Sequence, residues 1–234
     1  MFTANQPPPS GKAAAVSVIF EDNHLLVAEK PYGVPSQADS SGDPDMLSLC
    51  KEYIGKKYAK PGNVYLGLVH RLDRPASGVM AFARTSKAAA RLCAQIRSGG
   101  FERTYLCVLT GAPPKQGGAL VSYIVKDKKA RISRAAKPSA PGAKKAELAY
   151  DVLARSGGLY LVSVSLLTGR FHQIRSQFAS VGAPIYGDQK YGPRVIKSNL
   201  ALYSFKLCFT HPTSKEKLCF SSKPNFHPFT LFEI

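Results

Sequence analysis

The chain has 234 residues, 44% of them hydrophobic, which is enough to bury one substantial core without a second domain. Lysine and arginine number 32 against 15 acidic residues, and the formal charge of +17 favours a polyanionic partner without identifying it. A well-solvated basic protein is the alternative. No apolar run approaches the roughly 18 residues of a membrane span and no signal pattern opens the chain, so the sequence predicts a soluble, cytoplasmic protein.

The cysteines are odd in number and none belongs to a C-x-x-C pair. They are Cys50, Cys93, Cys107, Cys208 and Cys219. This pattern predicts reduced, mostly buried thiols in a cytosolic protein.

The first part of the chain predicts two strands and a helix. Residues 1–15 are rich in proline and alanine, have no apolar period, and are predicted to form a flexible lead-in. Short apolar segments at 16–20 and 25–29 flank a turn and predict a pair of β-strands. Over 46–58, apolar residues recur close to a helical period behind Asp45, a residue that can cap the first turn.

The middle of the chain predicts a strand, a helix and a second strand. Residues 78–83 are apolar and typical of a buried strand, and 85–97 predicts a helix with Thr85 at its N-cap. Residues 103–109 predict the next strand. Asp73 is therefore expected on a loop just ahead of a buried strand.

The second half predicts a hairpin and further strands. Residues 126–145 hold eight basic residues and one acidic residue, and are predicted to form a mobile basic loop. The remaining predicted elements are strands at 147–153, 159–167, 201–209 and 217–221, and a helix at 170–181 whose polar side carries Gln173 and Gln177. The predicted fold class is α+β, a mainly antiparallel sheet with a few helices, in one domain over 16–234.

The most informative acidic residue is Asp73, which stands between Arg71 and Arg74. Neighbouring cations favour the ionised form of an acid, and a charged carboxylate beside an electron-poor carbon can act as a nucleophile. An isolated pattern of this kind is more often an ordinary surface ion pair, so the interpretation needs support from elsewhere in the chain.

Motifs spread over residues 22–188 supply that support. His70-Arg71-Leu72-Asp73 is followed by Ser77-Gly78. The other segments are Asp22, Leu26, Val27, Lys30-Pro31 and Gly33; Arg103-x-Tyr105 with Gly111; Ala146-x-x-x-Tyr150-x-Val152; Thr168-Gly169-Arg170-x-His172-Gln173-Ile174-Arg175; and Pro184-Ile185-Tyr186-Gly187-Asp188. In this order, the segments resemble the RluA-type RNA pseudouridine synthases.

The resemblance implies a bent, mainly antiparallel mixed sheet and an isomerase that converts uridine in RNA to pseudouridine. It implies that Asp73 is the catalytic aspartate, that Tyr105 stacks on the target base or accepts a proton from it, and that Arg175 pairs with Asp73 and orients it. Arg71 is implied to enter the stack that the flipped uridine vacates. Asp73 could attack C1′ or remove the sugar 2′-proton, and both routes stay open.

The implied reaction needs neither a cofactor nor a metal, because it breaks the N1–C1′ bond, turns the uracil and rejoins it through C5. His70 and His172 lack the spacing and companions of metal ligands. The chain also lacks the motifs of serine hydrolases and of nucleotide-binding enzymes.

RNA contacts are predicted for the basic segment at Lys128, Lys129, Arg131 and Arg134, which could follow phosphates or could simply be solvated. The predicted partner is a stem-loop of tRNA or ribosomal RNA, bound by a monomer, with no S4-like domain before the catalytic region. Two other hypotheses stay open. One is a catalytically silent RNA-binding relative, and the other is a glycosylase that would release free uracil.

Overall fold

A computed structural model describes residues 16–59, 62–193 and 195–234, so the lead-in predicted at 1–15 lies outside the described residues. Within them, the strands in chain order are β1 (Ser17–Glu21), β2 (Leu25–Lys30), β3 (Gly67–Leu68), β4 (Ser77–Ala83), β5 (Glu102–Leu109), β6 (Gly117–Asp127), β7 (Ile132–Ala136), β8 (Lys144–Ser156), β9 (Leu159–Leu166), β10 (Leu202–Thr210) and β11 (Lys217–Ser221). The helices are α1 (Met46–Lys57), α2 (Ser86–Ser98) and α3 (Gln173–Ser180), and a 3₁₀ turn follows at Phe229–Leu231.

All of these strands join one mixed sheet. Its order is β1-β2-β4-β10-β5-β9-β8-β6-β7, with β3 paired to β4 and β11 paired to β10. Among the described strands, every pairing is antiparallel except that of β4 with β10, which aligns Ser77 with Tyr203 and Gly78 with Ser204. The predicted fold class, an α+β arrangement on a mainly antiparallel mixed sheet, is confirmed.

The parallel pairing of β4 with β10 depends on a glycine. Gly78 has a φ of +109°, and a Cβ atom there would lie 2.4 Å from the carbonyl oxygen of Ser204. Only glycine allows both this φ and so close an approach. The glycine that follows the Asp73 loop therefore sets how tightly the two strands meet.

Local capping signals place α1 and α2 as predicted, to within a residue. The Asp45 side chain accepts from the N–H of Ser48 at 3.1 Å, and Thr85 accepts from Ala88 at the same distance. Each contact satisfies a backbone donor that has no partner inside the helix. Helix α2 then ends at Gly99, whose left-handed conformation is typical of a C-terminal cap.

The sheet is covered on both faces, and β4 is buried along its whole length. On one face Phe82 belongs to the same core cluster as Met46 and Ile54 of α1 and Phe178 of α3. On the other face Leu92 of α2 packs among side chains of β2, β4 and β10. Full burial of each such side chain contributes about 1.5–3 kcal/mol. Within the described residues, no helix has the length and apolar character to cross a membrane.

The prediction of a mobile basic loop over 126–145 is wrong. Strands β6 and β7 pair in register, with Val125 opposite Arg134, and form a hairpin that turns over residues 128–131. Ile124 and Ser133 are 5% and 3% exposed. The basic side chains thus lie on a paired ribbon of strands, in which Ile124 and Ser133 are buried, and not on a free loop.

The helix predicted at 170–181 begins three residues later, at Gln173. The Gln173 side-chain oxygen accepts from the backbone N–H of Arg170 and from Thr168, which occupies the turn ahead of the helix. His172 has a φ of +51°, which interrupts any helix there. Gln173 and Gln177, predicted on the polar side, are both buried and bonded to backbone carbonyls of the sheet.

The prediction of five reduced cysteines is also wrong. Cys208 and Cys219 form a disulfide. They lie directly opposite one another in β10 and β11, a proximity set by strand register that the spacing of cysteines does not reveal. Cys50 and Cys107 are buried thiols, and Cys93 is a partly buried one.

Candidate active site

A cleft of about 1380 Å³ opens between the Asp73 loop, the start of β5 and the start of α3. Its lining includes Asp73, Tyr105, Arg175 and Arg71. The structure thus brings together the three side chains predicted to be catalytic and the arginine predicted to enter the RNA stack.

The loop that carries Asp73 is bonded on both sides of that residue. The N–H and carbonyl of Leu72 both contact the Ser36 hydroxyl, at 3.0 and 2.8 Å. The carbonyl of Arg74 accepts from the Lys30 ammonium at 3.0 Å and from the N–H of Gly33 at 3.1 Å. The Asp73 side chain is 21% exposed, so a fixed backbone presents a partly accessible carboxylate.

Lys30 is fully buried. Its ammonium donates to the carbonyls of Pro31, Val34 and Arg74, at 3.0, 2.6 and 3.0 Å. Burial lowers the pKa of Lys30 to about 7, although the negative charge of Asp73 opposes that shift. Lys30 therefore joins the segment after β2 to the Asp73 loop.

Arg175 joins two carboxylates. Its Nε and Nη2 donate to the two oxygens of Asp188, each at 2.7 Å, and its Nη1 donates to Asp73 Oδ2 at 3.3 Å. Asp188 is 1% exposed and also accepts from the backbone N–H groups of Lys190 and Tyr191. Burial opposes ionisation of both groups, but their pairing raises the pKa of Arg175 and lowers the pKa of Asp188. Asp188 thus aims the guanidinium at Asp73.

His172 is a second neighbour of Asp73, with Nε2 lying 3.8 Å from Oδ2. Burial lowers the pKa of His172 to about 4, although Asp73 opposes the shift, so the ring is neutral at pH 7. Its Nδ1 lies 3.0 Å from the hydroxyl of Tyr191, which accepts from the N–H of Ser133 at 2.5 Å. The Tyr191 proton can donate to Nδ1, and this tautomer places the His172 N–H on Nε2, toward Asp73.

Tyr105 lies in β5, opposite Ser204 of β10 and Val164 of β9, and is 5% exposed. Burial raises the pKa of Tyr105 to about 12, although Arg103 opposes that shift. The phenol is therefore protonated at pH 7 and lines the cleft as a neutral aromatic side chain.

Only some of the basic side chains of the β6–β7 hairpin line the cleft. Arg131 lines the cleft and Lys128, Lys129 and Arg134 do not, although all four are exposed. Arg134 also pairs with Asp127 at 3.3 Å. The predicted RNA-contacting side chains thus divide into one at the cleft and three further along the hairpin.

Several residues of the site escaped prediction. Asp188 belongs to a recognised motif that follows Arg175 by 13 residues. That nearness in the chain was the signal that could have identified Asp188 as the partner of Arg175. Lys126 lies over the Phe171 ring at 4.4 Å and also lines the cleft, yet its position in the chain suggested only a basic loop. Tyr191 had no signal, because its contacts come from two other segments, Ser133 in one and His172 with Arg175 in the second.

The histidines do not form a metal site with the acids. Among the residues that the structure describes, no group of three or more His, Cys, Asp or Glu side chains is arranged to hold a metal ion. His70 is 9% exposed, and its Nε2 accepts from the N–H of Ala81 at 3.0 Å, which makes it part of the sheet. The cofactor-free mechanism stays a prediction.

The family model for RNA pseudouridylate synthases matches residues 24–180, which cover the Asp73 loop, Tyr105 and Arg175. The chain belongs to the RNA pseudouridylate synthase family. The predicted resemblance is confirmed, and the family is one of isomerases that act on RNA.

Curated relatives agree over most of the chain. It is 32% identical over 205 residues to an uncharacterized RNA pseudouridine synthase of Bacillus subtilis, covering 86% of this chain and 66% of that protein. It is 31% identical over 227 residues to ribosomal large subunit pseudouridine synthase C of Escherichia coli, covering 89% of this chain and 67% of that protein. The chain thus spans about two thirds of the length of these synthases.

Solved structures of the family share the fold. Human RNA pseudouridylate synthase domain containing 4 superposes with a TM-score of 0.77 at 22% identity, covering 92% of this chain and 91% of that one. Human RNA pseudouridylate synthase domain containing 1 gives a TM-score of 0.73, also at 22% identity, over 94% and 88% of the two chains. This likeness supports the fold assignment.

Proposed function

We propose that this chain isomerises specific uridines of tRNA or ribosomal RNA to pseudouridine, with Asp73 as the essential carboxylate and without a cofactor. The observation that carries the proposal is the contact of Asp73 with Arg175 in a cleft that basic side chains surround. The carboxylate is held by a bonded loop, is accessible from the cleft, and faces a cation that can stabilise it as charge moves.

The contacts of Arg175 support an orienting role. A single charge beside Asp73 could rotate away, but the bidentate contact with Asp188 fixes the guanidinium plane. Asp73 can then attack C1′ or remove the 2′-proton, and both routes stay open.

Tyr105 fits the stacking role in the resting site. Its hydroxyl holds its proton at pH 7 because burial raises its pKa, and its ring lines the cleft. Acceptance of the C5 proton would require an earlier loss of the phenolic proton, which the raised pKa of Tyr105 opposes. We therefore assign Tyr105 to packing against the uracil first.

The position of Asp73 on the cleft wall supports base flipping as part of the proposal. Stacked uridine in RNA would not present its C1′ to a carboxylate on the cleft wall, so the nucleotide must turn outward. Arg71 is exposed and lines the cleft two residues before Asp73, which suits a side chain that fills the vacated stack. Action as a monomer in the cytoplasm, with 16–234 as one catalytic domain, is part of the same proposal.

The test is an RNA isomerisation assay with the matched variants Asp73→Asn and Asp151→Asn, the second at an exposed carboxylate of β8. Unmodified tRNA and ribosomal RNA transcripts carry tritium at C5 of uridine, which isomerisation releases to water. We expect wild type and Asp151→Asn to release a small fraction of the tritium, as modification of a few uridines would, and we expect a loss of roughly 10⁴-fold or more in the rate for Asp73→Asn.

Other outcomes would identify the rival functions. Free uracil in place of pseudouridine would indicate a glycosylase. RNA binding without tritium release from any transcript, combined with unchanged pseudouridine maps of cellular RNA in strains that lack the protein, would indicate a catalytically silent RNA-binding relative.

A further inference from the structure

A second groove of about 440 Å³ adjoins the Asp73 cleft. It lies between the end of α2, the start of β5 and the end of β9, where its lining includes Gly99, Phe101, Ser165 and Leu167. Arg103 lines both the groove and the cleft. The two depressions therefore meet at this arginine, two residues before Tyr105 on the same face of β5.

Arg103 has no partner among the residues that the structure describes. Its Nε is buried and makes no hydrogen bond, and no ion pair involves its guanidinium. The other buried or half-buried arginines among the described residues have partners: Arg84 pairs with Glu21, Arg175 pairs with Asp188, and Arg91 donates to the carbonyl of Pro212. A partly buried cation without a carboxylate is costly unless something else binds it.

The chain approaches Arg103 closely at one point. A Cβ atom added at Gly169 would lie 2.8 Å from Nη1 of Arg103. A larger residue at 169 would displace the guanidinium from the junction of cleft and groove. The Thr168-Gly169-Arg170 segment therefore leaves room for Arg103 without supplying a partner to it.

Charge near this junction is positive. Arg71 and Arg97 are exposed and line the same cleft. The acidic residue in the groove lining is Glu102, and its carboxylate pairs with Lys217 at 2.9 Å. A polyanion would therefore meet cations along this path. The carboxylate of Glu102 is already paired with Lys217.

Leu167 adds an apolar surface beside Arg103. It is 55% exposed and lines both depressions. A ribose or a base face packs well on such a side chain, and the adjacent guanidinium binds a phosphate. These are the alternating chemical groups of a nucleic-acid strand.

We propose that the groove holds the RNA strand next to the target uridine, with Arg103 binding a backbone phosphate and Leu167 contacting the adjoining sugar or base. The inference rests on the proposed function, since it assumes that RNA enters the Asp73 cleft. It assigns Arg103 to substrate binding, through a phosphate that passes from the cleft into the groove.

The experiment measures affinity for a short oligouridylate over a series of salt concentrations, in an Asp73→Asn background so that no turnover occurs. Arg103→Gln removes the charge, Arg103→Lys keeps it, and Arg155→Gln removes an exposed charge that lines neither depression. We expect Arg103→Gln to weaken binding roughly tenfold and to lower the salt slope by about 0.7. Arg155→Gln should change neither quantity, and Arg103→Lys should retain the slope.

A second pair of variants keeps the test decisive if Arg103→Gln fails to fold. Leu167→Glu and Leu153→Glu introduce the same charge at two leucines that are each 55% exposed, and Leu153 lines neither depression. We expect Leu167→Glu alone to weaken oligouridylate binding, by roughly tenfold.

Two results would overturn the inference. One is an unchanged salt slope in an Arg103→Gln protein that unfolds at the wild-type temperature, and the other is equal binding by Leu167→Glu and Leu153→Glu. Because binding is measured without turnover, a failure of the proposed function shows differently. The wild-type enzyme would then make no pseudouridine while affinity still depended on Arg103.

Discussion

The wall of the cleft around Asp73 and the β6–β7 hairpin are built in opposite ways. Near Asp73, two buried cations are held by several bonds each, Lys30 by three carbonyls and Arg175 by both oxygens of Asp188. The hairpin carries its charges in solvent and meets the cleft through few contacts, such as the carbonyl of Arg131 with Lys190.

The difference separates two requirements of an RNA-modifying site. Groups that act on a bond need fixed positions, and burial with full pairing supplies them. Groups that meet a phosphate backbone need charge and reach, and exposed side chains supply both at little cost in stability. Changes around Asp73 should therefore affect stability and activity together, whereas changes in the hairpin should affect binding alone.

The largest expected effect comes from Arg175→Met. Removing the guanidinium leaves Asp188 buried without its cation, which should lower the free energy of unfolding by about 3–5 kcal/mol. It should also abolish measurable isomerisation, because Asp73 loses the group that orients it. Urea unfolding and tritium release measure the two effects. A stable, active Arg175→Met protein would contradict the assignment of Arg175.

The next effect is a pH dependence that His70 should impose on stability. Burial lowers the pKa of His70 to about 3 in the folded protein, so the unfolded chain binds the extra proton as pH falls below the ordinary value of 6.5. Stability is therefore complete above that value and declines below it, by about 1.4 kcal/mol per pH unit for one proton.

His70→Gln tests this dependence, because Gln can still accept from the N–H of Ala81 but does not titrate. As the pH falls from about 6 to about 5, the free energy of unfolding should decrease in both proteins. The decrease should be smaller in the variant by about 1.4 kcal/mol per pH unit, the slope that corresponds to one proton. Burial also lowers the pKa of His172, so His172 should still contribute its own pH dependence of stability in the variant. Identical slopes in the two proteins would show that His70 is not the titrating group.

The smallest expected effect is on the hairpin. A double variant, Lys128→Gln with Lys129→Gln, should leave the free energy of unfolding within about 0.5 kcal/mol of wild type, because both side chains are exposed. If both contact phosphates, the slope of log affinity for RNA against log salt should fall by about 0.7 per lysine. An unchanged slope would limit the RNA contacts of the hairpin to its cleft-lining residues, such as Arg131.

Sequence patterns predicted those parts of the molecule whose signals are local. Asp45 and Thr85 cap their helices through contacts three residues away, and the apolar run of β4 reflects burial on both faces. The contact between Asp73 and Arg175 was predicted through motifs alone, although 102 residues separate the two. Local residue patterns therefore predict the helix caps and the buried strand, and family motifs predict the contact between Asp73 and Arg175.

Other features depend on register between distant segments, and the sequence shows them poorly. In the β6–β7 hairpin, the buried residues Ile124 and Ser133 lie close in the chain to exposed lysines and arginines, so charge hid the strand pattern. Cys208 and Cys219 meet only because β10 and β11 align them. Arg103 stood in a recognised motif, but its lack of a partner appears only when its surroundings are known.

The parallel contact of β4 with β10 has a consequence for how the enzyme is made. Within the described sheet, it is the one pairing that joins strands β1–β4 to β5–β11. Asp73 precedes β4, whereas Tyr105 and Arg175 belong to the later group. Across this pairing the hydroxyl of Ser204 donates to the carbonyl of Val79. The two residues are 125 positions apart in the chain, a separation that slows folding. We therefore expect the proposed active site to be completed only after β10 has left the ribosome, and recovery of activity after denaturation to report that final closure.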